Sequence, residues 1–541
     1  FYLFCMNINL NPPNHQDPLL SILIRQIEKQ YLRRIRDNPY NKLKKSPRAL
    51  FLALTHLEML NAYVWASRGA IIDDTLTNQD LDNFIFSEVR VGTEKGTGLG
   101  YHSDYLPLKK SYRSLEKIIN ASLKESFQES TASYYDYLKE SVLKHPVFLP
   151  NLAETKKVIH LKRIRKPRTP HKKLRNLAKK CSEILSETGN DSLVKIRAYR
   201  ETRRYANSEG ALIRDFFFGY HFRFIVKTLD KERRPLEFIQ NIYFTENWQI
   251  SQRRVLGFVK HMAKEVEKRK DCPVLETGVY PVLFLQEAMA TQLHECLTHL
   301  LASDNILEYD STVWGWENFG QQVANRYLDV YTDPGMPGRW GSMDYDYECV
   351  PATRRQLIEQ GRIIGYLADR NGAYHLSHLL KEEILPGDAR FGITENNTHF
   401  PPQPRISNLD VYYSGPRQPK SEADIRKRFR QYLKKHDLTG VYIPDGSGAA
   451  SLIEDGQIEA YPNFPYIVTS QGKFIPTKFI ETRNYAQLFM KNIMVMGRPR
   501  KYVPHLCEDN NFIVRAGLMC GSGIVKNVQI SARRFPSRRQ K

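Results

Sequence analysis

The sequence predicts an α+β protein, with a mixed α/β N-terminal domain over residues 1–272 and a mostly antiparallel β domain over 273–541 that opens with one buried helix. Three observations lead there. Apolar residues near the start recur at helical spacing (Leu19, Leu20, Ile22, Leu23, Ile27, Tyr31). Apolar and polar residues alternate cleanly from Val194 through Lys195, Ile196, Arg197, Ala198 and Tyr199 to Arg200, which is a strand pattern. Beyond residue 306, short strand-like runs alternate with turn clusters such as Asp333-Pro334-Gly335-Met336-Pro337-Gly338 and Ser470-Gln471-Gly472.

Taken in order, residues 14–65 read as helices, with Leu50 to Val64 continuing the helical pattern. Phe84 to Val91 reads as a strand, and residues 111–145 as an amphipathic helix. The basic, proline-punctuated stretch from Lys156 to His171 predicts a surface loop, and Leu174 to Ser186 another helix. Ala206 to Gly210 is a turn. Phe216 to Thr228 and Ile239 to Phe244 are strands, and Arg253 to Lys268 is a helix. After Pro281, Val282 to Leu285 and the helix formers Gln286 to Ala290 predict one buried helix running to Ala302. Downstream strands are expected at Gln356–Glu359, Arg362–Leu367, Leu409–Tyr413, Ile467–Thr469 and Phe474–Phe479, with one helix at Ser421–Lys435. Asp445-Gly446-Ser447-Gly448 lacks the Lys-Ser/Thr of a phosphate loop and reads as a hairpin turn.

The 541 residues suffice for two or more domains and a sizeable core. No apolar run reaches the ~18 residues of a membrane span, and Phe1 to Cys5 lack the basic start of a signal peptide. Seven scattered cysteines, an odd number with no Cys-x-x-Cys pair, argue against a disulfide scaffold and a zinc ribbon. They point to a reducing compartment, hence a cytoplasmic protein. The net charge of +21 gathers in Arg33 to Lys45, Lys156 to Lys180 and Arg533 to Lys541. Such patches hold nucleic acid, anionic membrane or acidic peptide, or simply confer solubility. No nucleic-acid-binding motif accompanies them, so nucleic acid is disfavoured as a partner.

The chemistry concentrates in Leu293-His294-Glu295-Cys296-Leu297-Thr298-His299-Leu300. A carboxylate and two imidazoles inside a buried apolar run need partners, because unpaired buried charge is expensive. A metal ion is the simplest common partner. The histidines are five apart, roughly 140° around an ideal helix, so they converge only if the helix bends, widens into a π-turn or ends there. The competing reading is two core histidines with a salt-bridged Glu295. His375 and His378, on a helix-like stretch, are left out of any metal site.

Five pieces in order, the His294–His299 motif, Gly341 to Pro351, Leu357 to Tyr366, Pro404-Arg405-Ile406-Ser407-Asn408-Leu409 and Met519-Cys520-Gly521, resemble the TldD/PmbA family of metallopeptidases, TldD-type, and Asn207-Ser208-Glu209-Gly210 ahead of them is similar to that family too. The resemblance is firm from Gly278 to Val528 and thin before Ser192. It implies one zinc ion per chain held by His294, His299 and Cys520, with Glu295 as general base. It also implies a peptidase of linear or unfolded peptides, bound as an added strand, that forms a homodimer or pairs with a PmbA-like subunit. Arg405 and Asn408 are expected at the substrate, and Asp346 and Glu348 behind the ligands. A metal-free scaffold subunit is the alternative, and a basic nucleic-acid-binding protein the second. The sequence departs from the family pattern at Thr298 and Cys349, where the family usually has glycine, and after Cys520.

Overall fold

The computed structural model describes residues 17–36, 48–76, 81–93, 96–106, 112–143, 151–164, 167–187, 189–246, 249–308, 314–391, 401–446, 448–452, 454–509 and 512–532. Cys5, most of the Arg33–Lys45 run, Ser447 and the Arg533–Lys541 tail lie outside them.

The fold is α+β. A first sheet of eight strands among the described residues runs in the order Gly96–Tyr105, Asp82–Thr93, Arg48–Ser67, Asp191–Asn207, Leu212–Leu229, with Pro235–Phe244 paired to the last. The pairings are antiparallel except where Ile159–Leu161 joins Leu212–Leu229 in parallel. The alternation read from Val194 is real: Val194, Ile196 and Ala198 are buried. They pack beneath Leu174, Leu177, Cys181 and Leu185 of the helix His171–Ser186 and Val255, Val259 and Met262 of the helix Gln252–Lys270.

A second sheet of thirteen strands among the described residues is built around the long strand Phe512–Ala532. That strand pairs antiparallel with Gly278–Phe284, Ile480–Tyr485 and Ile493–Asp509, and parallel with Asn408–Tyr413. The sheet is mostly antiparallel, as expected.

Three expectations are corrected. Arg48–Ser67 is a strand, not a helix. The buried run after Pro281 is a strand, Gly278–Phe284, followed by a separate helix, Gln286–Leu297. Asp445 to Gly448 does not close a hairpin, because Gly440–Ile443 pairs with Gly278–Phe284 and Tyr466–Val468, while Gly448–Leu452 pairs with Gln457–Tyr461. Instead Asp445 accepts from Gln240, Asn463 N and Phe464 N, and burial raises its pKa to about 6.

His221 lies on the face of Leu212–Leu229 opposite the helices, 8 % exposed, with Nε2 donating to Asn241 Oδ1 at 2.7 Å. Burial lowers its pKa from 6.5 to about 4. The unfolded chain therefore binds the extra proton, so this histidine contributes stability present above 6.5 that is lost as pH falls through about 4, on the order of 3 kcal/mol. His221→Gln keeps a donor to Asn241 and removes the titration. Its melting temperature should fall less than that of the wild type between about pH 7.5 and about pH 4.5. Equal losses in the two proteins would refute the assignment.

Candidate metal centre

The helix Gln286–Leu297 starts directly off the central strand Gly278–Phe284. Leu285 joins the two and donates its N–H to Ile443 O at 2.9 Å, so the helix leaves from a fixed point of the sheet. Its inner side is apolar: Ala288, Met289, Leu293, Cys296 and Leu297 belong to the main core of the second sheet.

The helix ends between the two histidines, which resolves their spacing. Thr298 is the C-cap residue, with its N–H donating to His294 O at 2.8 Å. Its hydroxyl donates to the same carbonyl at 2.8 Å. Residues 298–301 then form a turn, and Asn305 Nδ2 donates to His299 O at 2.9 Å. His299 is thereby swung off the helical path. The two rings stand 5.4 Å apart between centroids, at 80° to one another.

The third member comes from the long hairpin. Cys507, on Ile493–Asp509, has its Sγ 3.7 Å from His299 Nε2. His294, His299 and Cys507 each offer a ligating atom within 4.8 Å of the others, and all three are buried. Two donors at ordinary zinc–nitrogen and zinc–sulfur distances, set at a tetrahedral angle, lie about 3.6 Å apart. The donor set is also of the right chemistry, two borderline nitrogens and one soft sulfur. The His299–Cys507 separation matches that spacing, and the three side chains form a cluster of the size and donor type that could hold a metal ion. Burial, with His505 and His299 nearby, holds the pKa of His294 well below its usual value, so the ring is neutral and keeps a lone pair.

Cys520 is not brought to this cluster. It pairs across the hairpin with Lys501, whereas Cys507 pairs with Val514. Its Sγ lies 3.5 Å from Gln286 O, at the opposite end of the helix from the histidines. Gln286 precedes His294 by about 12 Å along a helix axis. Burial pushes the Cys520 thiol far up, in keeping with a core residue.

Glu295 is 6 % exposed. Ser451 Oγ, on the short edge strand Gly448–Leu452, lies 2.5 Å from Glu295 Oε2 and 3.1 Å from Glu295 O, and its hydroxyl donates to one of them. Ser451 is a partner that the sequence did not signal. His505, also unforeseen, lies 2.8 Å from His294 through Nε2 and Nδ1.

The other expected site residues go elsewhere. Arg405 is 4 % exposed, and Nη1 donates to Asp304 Oδ2 at 2.8 Å and to Pro404 O at 2.7 Å. Asn408 is fully buried, donating to Asp333 O at 3.2 Å and accepting from the Tyr502 hydroxyl at 2.8 Å. Neither offers a surface to a peptide. Asp346 caps its own turn, accepting from Glu348 N and Val350 N at 2.9 and 2.8 Å. Glu348 accepts from Arg370 N at 2.7 Å. Both order the junction between the two sheets, where Arg203 donates to Asp346 O and Arg370 grips Glu209 with both Nη atoms at 2.8 Å.

Residues 277–530 match the PmbA/TldA metallopeptidase C-terminal domain family. Residues 277–530 thus form a domain of the TldD/PmbA family. It is 29 % identical over 150 residues to a metalloprotease of Synechocystis sp., covering 28 % of this chain and 30 % of that protein. It is 31 % identical over 114 residues to a metalloprotease of Methanocaldococcus jannaschii, 21 % of this chain and 24 % of the relative. These alignments thus span under a third of the relatives' own length. In fold it is similar to a candidate modulator of a DNA gyrase from Thermotoga maritima, with a TM-score of 0.63, 16 % identity and coverage of 94 % and 100 % of the two chains. It is likewise similar to TldE from Thermococcus kodakarensis, with a TM-score of 0.59, 12 % identity and the same coverage.

Proposed function

We propose that this chain is a zinc-dependent peptidase of linear or unfolded peptides, with His294, His299 and Cys507 as the metal ligands and Glu295 as the general base. The observation that carries the reading is the convergence of two imidazoles and a thiol, from two elements far apart in sequence, within 4.8 Å of one another. The match of residues 277–530 to a TldD/PmbA-family domain, with relatives named metalloproteases, supports it.

The chemistry a bound zinc ion supplies there is Lewis acidity, which activates a water and polarises a scissile carbonyl. His294, His299 and Cys507 would hold the ion by three donors and leave it open to a water or a carbonyl. Glu295, next to His294 in sequence, takes the proton from the attacking water and returns it to the leaving amine. Ser451 steadies Glu295 through its hydroxyl. The neutral His294 ring keeps its lone pair without competition from a proton.

The proposal includes a partner and a place. A homodimer, or a pairing with a PmbA-like subunit, is supported by the likeness in fold to TldE. A cytoplasmic location agrees with the free thiols Cys181, Cys272, Cys296, Cys349, Cys507 and Cys520. Among the described residues, no helix is long and apolar enough to cross a membrane. The division near residue 272 is kept as part of this reading, because the first sheet ends at Phe244 and the second begins at Gly278.

Two measurements test it. Zinc bound per chain should be lost in Cys507→Ser and retained in Cys520→Ser, and the reverse pattern would return the third ligand to Cys520. Glu295→Gln should keep its zinc and lose hydrolysis of an unfolded peptide by about 10²- to 10⁴-fold. Hydrolysis at the wild-type rate in Glu295→Gln would remove that residue from the mechanism.

A further inference from the structure

His505 and Cys507 lie two apart on one strand, so both side chains project from the same face toward the histidines of the helix. The His505 ring meets the His294 ring edge-on, with centroids 4.5 Å apart at 84°. The contact is polar: His505 Nε2 is 2.8 Å from His294 Nδ1. On its other side His505 Nδ1 is 3.3 Å from Val503 O.

This chain of contacts orders the protons. A carbonyl oxygen only accepts, so His505 Nδ1 carries its ring hydrogen. A neutral imidazole has one N–H, so His505 Nε2 is the acceptor and His294 Nδ1 the donor. The remaining nitrogen of His294, Nε2, is left with the lone pair. We propose that His505 is a positioning residue, which fixes the tautomer and orientation of His294 so that Nε2 is offered to a divalent metal alongside His299 and Cys507. The inference rests on the metal-centre reading above. Metal-binding histidines are usually anchored by a carboxylate or a backbone carbonyl on the far nitrogen. Here a second imidazole relays that anchor to Val503 O, and it does so without adding a charge beside the thiol.

The test uses the full chain, stripped of metal, as wild type, His505→Phe and His505→Gln. Phenylalanine keeps the ring shape and removes the acceptor, whereas glutamine retains a side-chain oxygen able to accept from His294 Nδ1. Zinc affinity is read by competition with a chromophoric chelator, and ligand type by the absorption of added Co²⁺. Metal-free melting curves show whether each variant folds. His505→Phe should bind zinc about 10- to 100-fold more weakly, while His505→Gln stays within about threefold of wild type. The Co²⁺ spectrum of His505→Gln should match the wild type. Wild-type affinity in a folded His505→Phe overturns the proposal. So does a His505→Gln that weakens by tenfold or more with an altered Co²⁺ spectrum, which would make His505 a direct ligand. Should His505→Phe not fold, the glutamine variant alone decides by the same criterion. A wild-type chain that takes up neither ion overturns the metal-centre reading itself, and this inference falls with it.

Discussion

The helix Gln286–Leu297 stops two residues before His299, and the His-His-Cys cluster depends on that stop. Had it run on, the second imidazole would face roughly 140° away from the first. Thr298 is the residue at the break. Its N–H keeps the last helical bond to His294 O, while its hydroxyl lays a second claim on the same oxygen. Side-chain bonding of this kind bends and weakens a helix end. Asn305 then clamps the carbonyl of His299, so the turn has a defined shape. Thr298 thus marks the helix end with two hydrogen bonds to one carbonyl.

The other half of the centre is held by sheet register. Cys507 and His505 are presented by Ile493–Asp509, whose partner Phe512–Ala532 also pairs with the strand that launches the helix. Helix and hairpin are therefore tied to one another through a single strand. A slip of one residue in that pairing would turn Cys507 and His505 to the opposite face. The bulges between Met496 and Arg500 fall on the Lys501 side of the hairpin, away from Cys507.

Where burial was one-sided, the sequence was readable. The alternation from Val194, the helix His171–Ser186 and the helix Gln252–Lys270 each have one wet face and one dry one, and each was anticipated. It misled where both faces are dry. In Arg48–Ser67, Leu52 and Leu54 enter one core while Phe51 and Ala53 enter another. In Gly278–Phe284, Val282 and Phe284 face one core and Leu283 a different one. A strand buried on both sides loses its period of two and resembles a stretch of buried helix. Within the site, the motif singled out the two histidines and Glu295 but left a metal site and a pair of core histidines both open, and the cysteine that the structure sets beside them was not foreseen. The family resemblance pointed to Cys520, and the register of the hairpin is what separates it from Cys507. The available signal was His505-x-Cys507, two metal-type side chains on one strand face.

Net charge proved a poor guide to surface for a related reason. Part of the excess is interior: Arg269, Arg370 and Arg390 are among the largest side chains fully removed from solvent. Arg370 is matched by Glu209, and Arg390 donates to Gly341 O and Ser407. Around them burial raises the pKa of Asp346 to about 6, that of Asp369 to about 7, and that of Glu348 in the same direction. Burial thus makes these carboxylates harder to ionise than solvent-exposed ones. The junction between the sheets is therefore fixed by buried arginines bonded to carbonyls and to Glu209, and the same junction holds Cys349 at a φ of +69°. A left-handed backbone costs a cysteine roughly 1–2 kcal/mol more than it would a glycine. That conformation persists because Asp346 binds the backbone on both sides of it, at Glu348 and Val350.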